Sequence, residues 1–448
     1  MNFNSSLYEN LLNELLTKAK KSGADTADAI LLNNTNLSAS CRLGKLEDIQ
    51  RAESQDLGLR LFIGKKQAYI STSNVSNSSL DELVERGINM ANAVPEDPYC
   101  GLAESDLLAT DTPQLDITDK TEPTAETLLQ EAQEAEASAL AVKGITNSEG
   151  GESSYNFTTS MLATSNGFFG SYDKTIHSIS VSVLAGSGTE MERDYEYSIA
   201  CHKNDLISPQ SIGKLAGEKT TRRIGARKAK SGKMPVVFDP RISNSLLQHL
   251  SNSISGSSIA RSTSFMSDQL GLTVFNSGIN IIDNPHKYRG LRSRPFDGEG
   301  VEGSLIKVID NGQLSTWFLD SRSGRQLGLS STGHASRSTS GAPSPSPTNL
   351  YIEEGQVDPS ELIKNIKEGV YITELIGMGV NSVTGDYSRG ASGFMIQNGH
   401  RTFPVSEITI AGNLKSMFKE ITPANDLEFK FGLNAPTLRI DGMTVAGA

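Results

Sequence analysis

Asparagine–glycine and aspartate–glycine dipeptides in the second half of this sequence constrain its fold more than any other feature. They are Asn311-Gly312, Asn398-Gly399 and Asp441-Gly442, and each lies between two apolar runs. Such dipeptides readily adopt the positive φ values that two-residue hairpin turns require. We therefore expect three antiparallel hairpins in this half. Start signals at Pro240 and Pro359 predict helices that interrupt the strands.

The first half combines helical and strand-like patterns. Leu7, Leu11 and Leu15 recur at helical spacing, residues 29–34 and 57–73 are strand-like, and Thr124 precedes an alanine-rich helix. A mixture of this kind is typical of a layered α+β arrangement. We predict an α+β fold with two domains. The first is an N-terminal α/β layered domain over residues 1–230, and the second is a C-terminal, mostly antiparallel β domain with a few helices over residues 231–448.

Charge and apolar runs argue against two classes of partner. The 448 residues carry a formal net charge of −11, and an acidic surface repels phosphate backbones and anionic membranes. No apolar run approaches the roughly 20 residues of a transmembrane helix, and the N-terminus lacks the order of a secretion signal. Cys41, Cys100 and Cys201 form no CxxC pair. We expect a cytoplasmic protein that binds neither nucleic acid nor membranes.

Three local motifs occur in a context that weakens them. Gly298-x-Gly300-x-x-Gly303 matches the dinucleotide fingerprint, but a strand-like segment follows where a helix is required, so we interpret it as a flexible acidic loop. The basic cluster from Arg222 to Lys230 fits a solvated helix end better than a phosphate site. Ser388 lacks the spacing of a nucleophile elbow. The six histidines are scattered without metal-ligand spacing.

Several longer strings in the second half resemble one family. They are FDGEGV at 296–301, LDSRSGRQLGLSSTGHASR at 319–337, TELIGMGVNSVTGDYSRGASGF at 373–394 and NDLEF at 425–429. In order and spacing they are similar to the TldD/TldE family (PmbA, "modulator of DNA gyrase"). The resemblance implies a two-domain fold and a dimer that encloses a cavity. It also implies that one subunit type, TldD, is a zinc peptidase, whereas its partner TldE holds no metal.

The helix that begins at Pro240 distinguishes the two subunit types. The TldD motif reads HExxxH, and the matching stretch here has Gln248 in place of the first histidine and Ser253 in place of the second. A register shift of one residue offers His249 but no second histidine, and no cysteine follows Cys201 to match the late cysteine of TldD. Without imidazole or thiolate ligands a chain cannot hold zinc tetrahedrally. The resemblance is therefore to the TldE (PmbA) branch.

That branch implies no catalytic or metal-binding residue in this chain, no cofactor of its own, and zinc in a TldD-like partner. Four residues are candidates to line the shared cavity: His334, Asp386, Ser388 and Arg389. We expect a non-catalytic subunit of a heterodimeric zinc metallopeptidase that processes unfolded proteins or peptides, such as peptide-antibiotic precursors and antitoxins. The alternative is a homodimeric adaptor or binding protein that acts without a peptidase partner.

Overall fold

A six-stranded antiparallel sheet forms the first half of the molecule in a computed structural model that describes residues 5–447. Its strands are β1 (Thr26–Arg42), β2 (Lys45–Ile63), β3 (Lys66–Thr72), β4 (Ile145–Thr164), β5 (Phe169–Ala185) and β6 (Glu192–Ala200). They lie in the order β3-β2-β1-β4-β5-β6. Along β1, buried residues such as Leu37 and Ala39 alternate with half-buried polar ones, so that one face of the sheet is apolar.

Four helices cover that apolar face: α1 (Ser5–Lys21), α2 (Asn77–Ala93), α3 (Ala125–Leu140) and α4 (Pro209–Arg222). Leucines of α1 and α2 pack on β1 to β3, whereas alanines of α3 and α4 pack on β5. The small residues let the last two helices touch through their backbones. A Cβ atom on Gly213 would lie 2.0 Å from the carbonyl oxygen of Ala135, so glycine is required there. Short 3-10 turns span Ser105–Leu107, Gly188–Glu190 and Lys203–Asp205.

The second half contains shorter strands and helices. The helices are α5 (Pro240–Ser253), α6 (Gly256–Ala260), α7 (Ser321–Leu327), α8 (Pro359–Ile363) and α9 (Leu414–Lys419). The strands are β7 (Gly232–Phe238), β8 (Ile281–Asn284), β9 (Ile306–Asp310), β10 (Gln313–Leu314), β11 (Ala335–Ser336), β12 (Ser344–Pro345), β13 (Asn349–Ile352), β14 (Glu368–Ile376), β15 (Asp386–Gln397), β16 (His400–Asn413), β17 (Ile421–Pro423), β18 (Leu433–Asn434) and β19 (Leu438–Ala446). Within residues 5–447, no helix combines the length and apolar composition needed to cross a membrane.

Five of these strands close into a barrel. The order β16-β15-β14-β7-β19 is completed by a direct pairing of β19 with β16, and β17 adds to β19. All of these pairs are antiparallel except β14 with β7. A second sheet has the order β10-β9-β8-β13-β18, with one parallel pair between β13 and β18. β11 and β12 form a separate antiparallel pair. The predicted α+β class, with a mostly antiparallel second half, is confirmed, whereas the boundary between residues 230 and 231 stays a prediction.

Two of the three predicted hairpin turns are confirmed and one is wrong. Asn311-Gly312 joins β9 to β10, and Asn398-Gly399 joins β15 to β16, with positive φ at all four residues. Asp441-Gly442 instead lies inside β19, where Ile440 pairs with Val236 and Met443 with Met234. Because β7 pairs with β19 on both sides of the dipeptide, the extra residue forms a bulge and the chain does not reverse.

Four buried charges connect the first sheet to the second half. Arg60 on β2 donates to Asp28 on β1 at 2.7 Å and to Glu299 at 3.0 Å, and Arg337 donates to the other oxygen of Asp28. Each of these side chains is at most 4% exposed. The two positive and two negative charges balance, which is the condition for burying ions in a protein interior.

The acidic glycine loop takes part in this network, so its interpretation as a flexible loop is wrong. The carboxylate of Glu299 also accepts the backbone N–H of Ser321 at 2.8 Å, in the first turn of α7. The buried carboxylate of Asp297 accepts backbone N–H groups of Glu299, Val301 and Ala335. Burial, reinforced by the charge of Glu299, raises the pKa of Asp297 to about 6. The acidic side chains therefore hold the loop in place from within.

Arg60→Met is expected to lower the free energy of unfolding by about 3–5 kcal/mol, because it leaves Asp28 and Glu299 buried with less compensating charge. Urea denaturation followed by fluorescence of the single tryptophan, Trp317, measures the change. The matched control is Arg51→Met, also on β2, whose partners Glu53 and Glu122 are half-exposed. Exposed pairs contribute less than about 1 kcal/mol. Equal effects of the two substitutions would contradict the assignment.

Candidate functional site

The helix that carries the three degenerate motif positions is α5. Asp239 caps it by accepting the N–H of Arg241 at 3.1 Å, and Pro240 occupies the first turn, as its start signal predicted. Leu246, Leu247 and Leu250 are buried in the core of the second half. This apolar face fixes the rotation of the helix and therefore the direction of each polar side chain.

Gln248 and Ser253 use their polar groups within the helix. The Gln248 amide donates to Asn252 Oδ1 at 2.9 Å and to Ser251 Oγ at 3.3 Å. The Ser253 hydroxyl donates to the carbonyl oxygen of His249 at 2.8 Å. The two positions that correspond to metal-binding histidines therefore do not converge on a common point.

His249 faces inward and meets two buried polar residues of β15. Its ring lies edge-on to that of Tyr387, with the centroids 5.9 Å apart, and Arg389 lies two residues further along the strand. His249 is 7% exposed, Tyr387 1% and Arg389 9%. Within the described residues, the Nε2 atom of His249 and the Nε atom of Arg389 have no hydrogen-bond partner, and the Tyr387 hydroxyl interacts with the Arg389 side chain. This cluster of His249, Tyr387 and Arg389 is the polar centre beside the degenerate motif.

The environment of the cluster keeps His249 neutral. Burial, reinforced by the charge of Arg389, lowers the pKa of His249 to about 4. Burial also raises the pKa of the Tyr387 phenol, and the Arg389 charge opposes that shift. At neutral pH the cluster therefore contains one cation and two neutral groups, with no carboxylate bonded to Arg389 among the described residues.

The four cavity-lining candidates lie in three different environments. Along β15, Asp386 and Ser388 point to the exposed face, whereas Arg389 points inward. Asp386 accepts hydrogen bonds from Thr384 and Asn413, which lower its pKa. Among the described residues, no histidine is hydrogen-bonded to Ser388. A serine–histidine pair at this position therefore has no support.

His334 lies apart from the other candidates, in the interior. It is 1% exposed, and its Nε2 atom is 3.2 Å from Asp283 Oδ2 while its Nδ1 atom is 2.7 Å from the carbonyl oxygen of Thr332. Its ring packs on Phe318 with the centroids 4.5 Å apart. With both nitrogen atoms bonded and both faces buried, the imidazole holds β11 in place and has no open side within this chain.

The residues present do not fit a zinc ion. In the described part of the chain, no three His, Cys, Asp or Glu side chains are grouped so that they could hold a metal. Cys41, Cys100 and Cys201 are all buried and free, and all three belong to the first half. His249 faces an arginine and a tyrosine, and the positive charge of Arg389 would repel a second cation.

Sequence reasoning identified α5 but missed Tyr387, and of the basic cluster it misread Arg223 alone, since Arg222, Arg227, Lys228 and Lys230 are exposed as predicted. The two-residue period of a strand was the available signal, since it places Tyr387 and Arg389 on the same face. Arg223 of the basic cluster is 12% exposed and forms ion pairs with Glu192, Asp194 and Glu374. That part of the cluster is therefore neither a solvated helix end nor a phosphate site, because it joins the two halves of the molecule.

Comparison with known proteins finds matches to one family along nearly the whole sequence. Three family models match: "PmbA/TldA metallopeptidase domain 1" at residues 27–91, "central domain" at 115–224 and "C-terminal domain" at 231–447. The Metalloprotease PmbA of Escherichia coli O157:H7 is 35% identical over 434 residues, which cover 96% of this chain and 94% of that protein. The chain belongs to the PmbA/TldD family.

Other family members agree with the fold and with the branch. A crystal structure from Bacteroides thetaiotaomicron, of a protein that carries the family's name modulator of DNA gyrase, superposes with a TM-score of 0.91 at 26% identity and covers 100% of both chains. The Metalloprotease TldD homolog of Haemophilus influenzae is 25% identical over 280 residues, 58% of each chain. Similarity to the PmbA relative is both higher and more extended than similarity to this TldD relative.

The neutral state of His249 predicts a pH dependence of stability. Well above pH 6.5 the histidine is neutral in the folded and unfolded chains alike. As the pH falls toward 4, the unfolded chain takes up the proton first, so the folded protein loses stability. Between pH 7 and pH 5, protonation of this single group in the unfolded chain is expected to lower the free energy of unfolding by about 2 kcal/mol.

Urea unfolding of the wild-type protein and of His249→Met at the two pH values measures this loss. From pH 7 to pH 5, the free energy of unfolding of the variant should fall by about 2 kcal/mol less than that of the wild type. His400→Gln is the control, since His400 is exposed, and it should follow the wild type. A His249→Met protein as sensitive to acid as the wild type would refute the assignment.

Proposed function

We propose that this chain is the non-catalytic subunit of a heterodimeric metallopeptidase in which a TldD-like partner holds the zinc. One observation carries the proposal: the polar groups of α5 are turned away from one another. Gln248 bonds along the helix surface, Ser253 bonds to the helix backbone, and His249 faces Tyr387 in the core. A peptidase metal needs three convergent protein ligands and an open position for water.

The names of the relatives support peptidase activity in the proposed complex. The relatives are named metalloproteases, and peptide-bond hydrolysis by a bound metal requires that some chain of the complex supplies ligands. In the proposed complex the partner supplies them, and this chain contributes a wall of the shared cavity and contacts to the substrate. Unfolded proteins and peptides, including peptide-antibiotic precursors and antitoxins, are the substrates that the resemblance implies.

We also propose that the complex works in the cytoplasm. Cys41, Cys100 and Cys201 are buried and unpaired, and burial raises the pKa of each thiol. Protonated, inaccessible thiols are the usual state of cysteines in a reducing compartment.

Reconstitution from separately purified subunits tests the proposal. The chain alone is expected to contain far less than one zinc ion by mass spectrometry of metals and to leave denatured casein uncut. Addition of a TldD-like subunit from the same cells should give a stable complex that cleaves casein. Substitution of the glutamate in the partner's HExxxH motif should abolish cleavage by the complex.

Two results would overturn the proposal. One is cleavage of casein by this chain alone that is lost in His249→Gln. The other is a chain that forms only homodimers in the presence of the TldD-like subunit, because that result favours an adaptor that acts without a peptidase.

A further inference from the structure

A cleft between the two halves of the molecule is lined by no residue of α5. It has a volume of about 340 Å³ and is bounded on one side by the end of β6 and on the other by the segments Lys287–Leu291 and Phe429–Phe431. Ligand sites of proteins begin at about this size. The segment at Phe429 ends the NDLEF string, which the chemistry of the proposed function does not use.

Aromatic rings line the cleft and are unusually open to solvent. Phe429 is 45% exposed and Tyr288 is 64% exposed. Phe431 packs on Tyr197 of β6 with the ring centroids 5.5 Å apart, and Phe429 packs on Tyr351 at 5.0 Å. The rings are thus held in fixed positions while part of their apolar surface remains in water, which is typical of a binding surface.

One cation in the cleft has no counter-ion. The Nζ atom of Lys287 lies 3.4 Å from the ring centroid of Phe429, and among the described residues no carboxylate forms an ion pair with it. The other cations of the cleft are paired: Arg289 with Asp116 and Asp205, and Lys430 with Glu428. Burial lowers the pKa of Lys287. An anionic group would restore the interactions that Lys287 has lost by leaving water.

The edge of the first sheet runs along the cleft. β6 is the outermost strand, and the backbone of Tyr195 faces outward, since its carbonyl oxygen accepts from Arg241 at 3.3 Å. Tyr197 and Ile199 share that direction because they follow at intervals of two. The Tyr197 N–H donates to its neighbour Glu196, whereas the structure gives the outward backbone groups of Ile199 no partner among residues 5–447. An extended chain could pair there.

We propose that this cleft binds a carboxylate-bearing segment of an extended peptide, with the carboxylate on Lys287, an apolar side chain among the rings of Phe429 and Tyr288, and the backbone beside Ile199. The proposal takes its substrate class, a peptide, from the proposed function. The carboxylate can come from the C-terminus of the peptide or from an aspartate or glutamate side chain. In either case this chain selects which peptides the complex retains.

Calorimetric titration of the full chain with unlabelled peptides tests the proposal and requires neither a partner nor catalysis. The probes are Gly-Ser-Gly-Ser-Leu-Phe as the free acid, its C-terminal amide, and the amide of Gly-Ser-Gly-Asp-Leu-Phe. A free acid that binds at least about tenfold more tightly than its amide identifies a C-terminal carboxylate. Restoration of that affinity in the aspartate-containing amide identifies a side-chain carboxylate.

The variants assign the binding to the cleft. Lys287→Gln and Phe429→Ala should each weaken peptide binding about tenfold. Lys287→Arg, which keeps the positive charge, should bind the peptide about as tightly as the wild type. Lys430→Gln is the matched control, because Lys430 lines the same cleft but is paired with Glu428, and it should change affinity less than about twofold. Equal binding by wild type and Lys287→Gln, or no binding of any peptide to the wild type at millimolar concentration, would overturn the proposal while leaving the heterodimer untouched.

Discussion

The ion network around Arg60 is the interaction on which the relation between the two halves of this molecule depends. Arg60, Asp28, Glu299 and Arg337 come from both halves and are all but inaccessible to water. Charges buried in this way are stabilising only as a complete set, since removing one member leaves another without compensation. Separation of the halves would break the Arg60–Glu299 and Asp28–Arg337 pairs and leave buried charges without compensation. The FDGEGV and GHASR strings supply Glu299 and Arg337, so both strings have a structural role in this network.

The network also shows where prediction from the sequence ends. Local signals served well: two Asn-Gly turns and the start of α5 at Pro240 are where the sequence placed them. The prediction of a turn at Asp441-Gly442 was wrong because β19 pairs with β7, a strand distant in sequence, and the dipeptide forms a bulge within β19. Arg60 and Glu299 are separated by 239 positions and Asp28 and Arg337 by 309. No periodicity or turn signal joins residues that far apart, and the acidic loop was therefore interpreted as flexible.

At the candidate site, too, local features could be predicted from the sequence and contacts between distant residues could not. The absence of a second histidine near Gln248 and Ser253 was visible in the sequence, and strand periodicity could have separated Ser388 from Arg389. That His249 faces Tyr387 depends on the rotation of α5 against the barrel, which is set by Leu246, Leu247 and Leu250 together with strands distant in sequence. The cleft at Lys287 was equally hidden, because its walls are brought together only when β6 packs beside the segment at Phe429.

Closure of the barrel by β19 has a consequence for how the second half is made. β19 is the strand nearest the end of the sequence, and it fills the space between β7, which opens this half, and β16. During synthesis on the ribosome, β7 and β14 to β16 all emerge before β19 does. Until β19 has emerged, β7 and β16 therefore each have a free edge and the barrel cannot close, so apolar residues of these strands stay open to unwanted association during that interval.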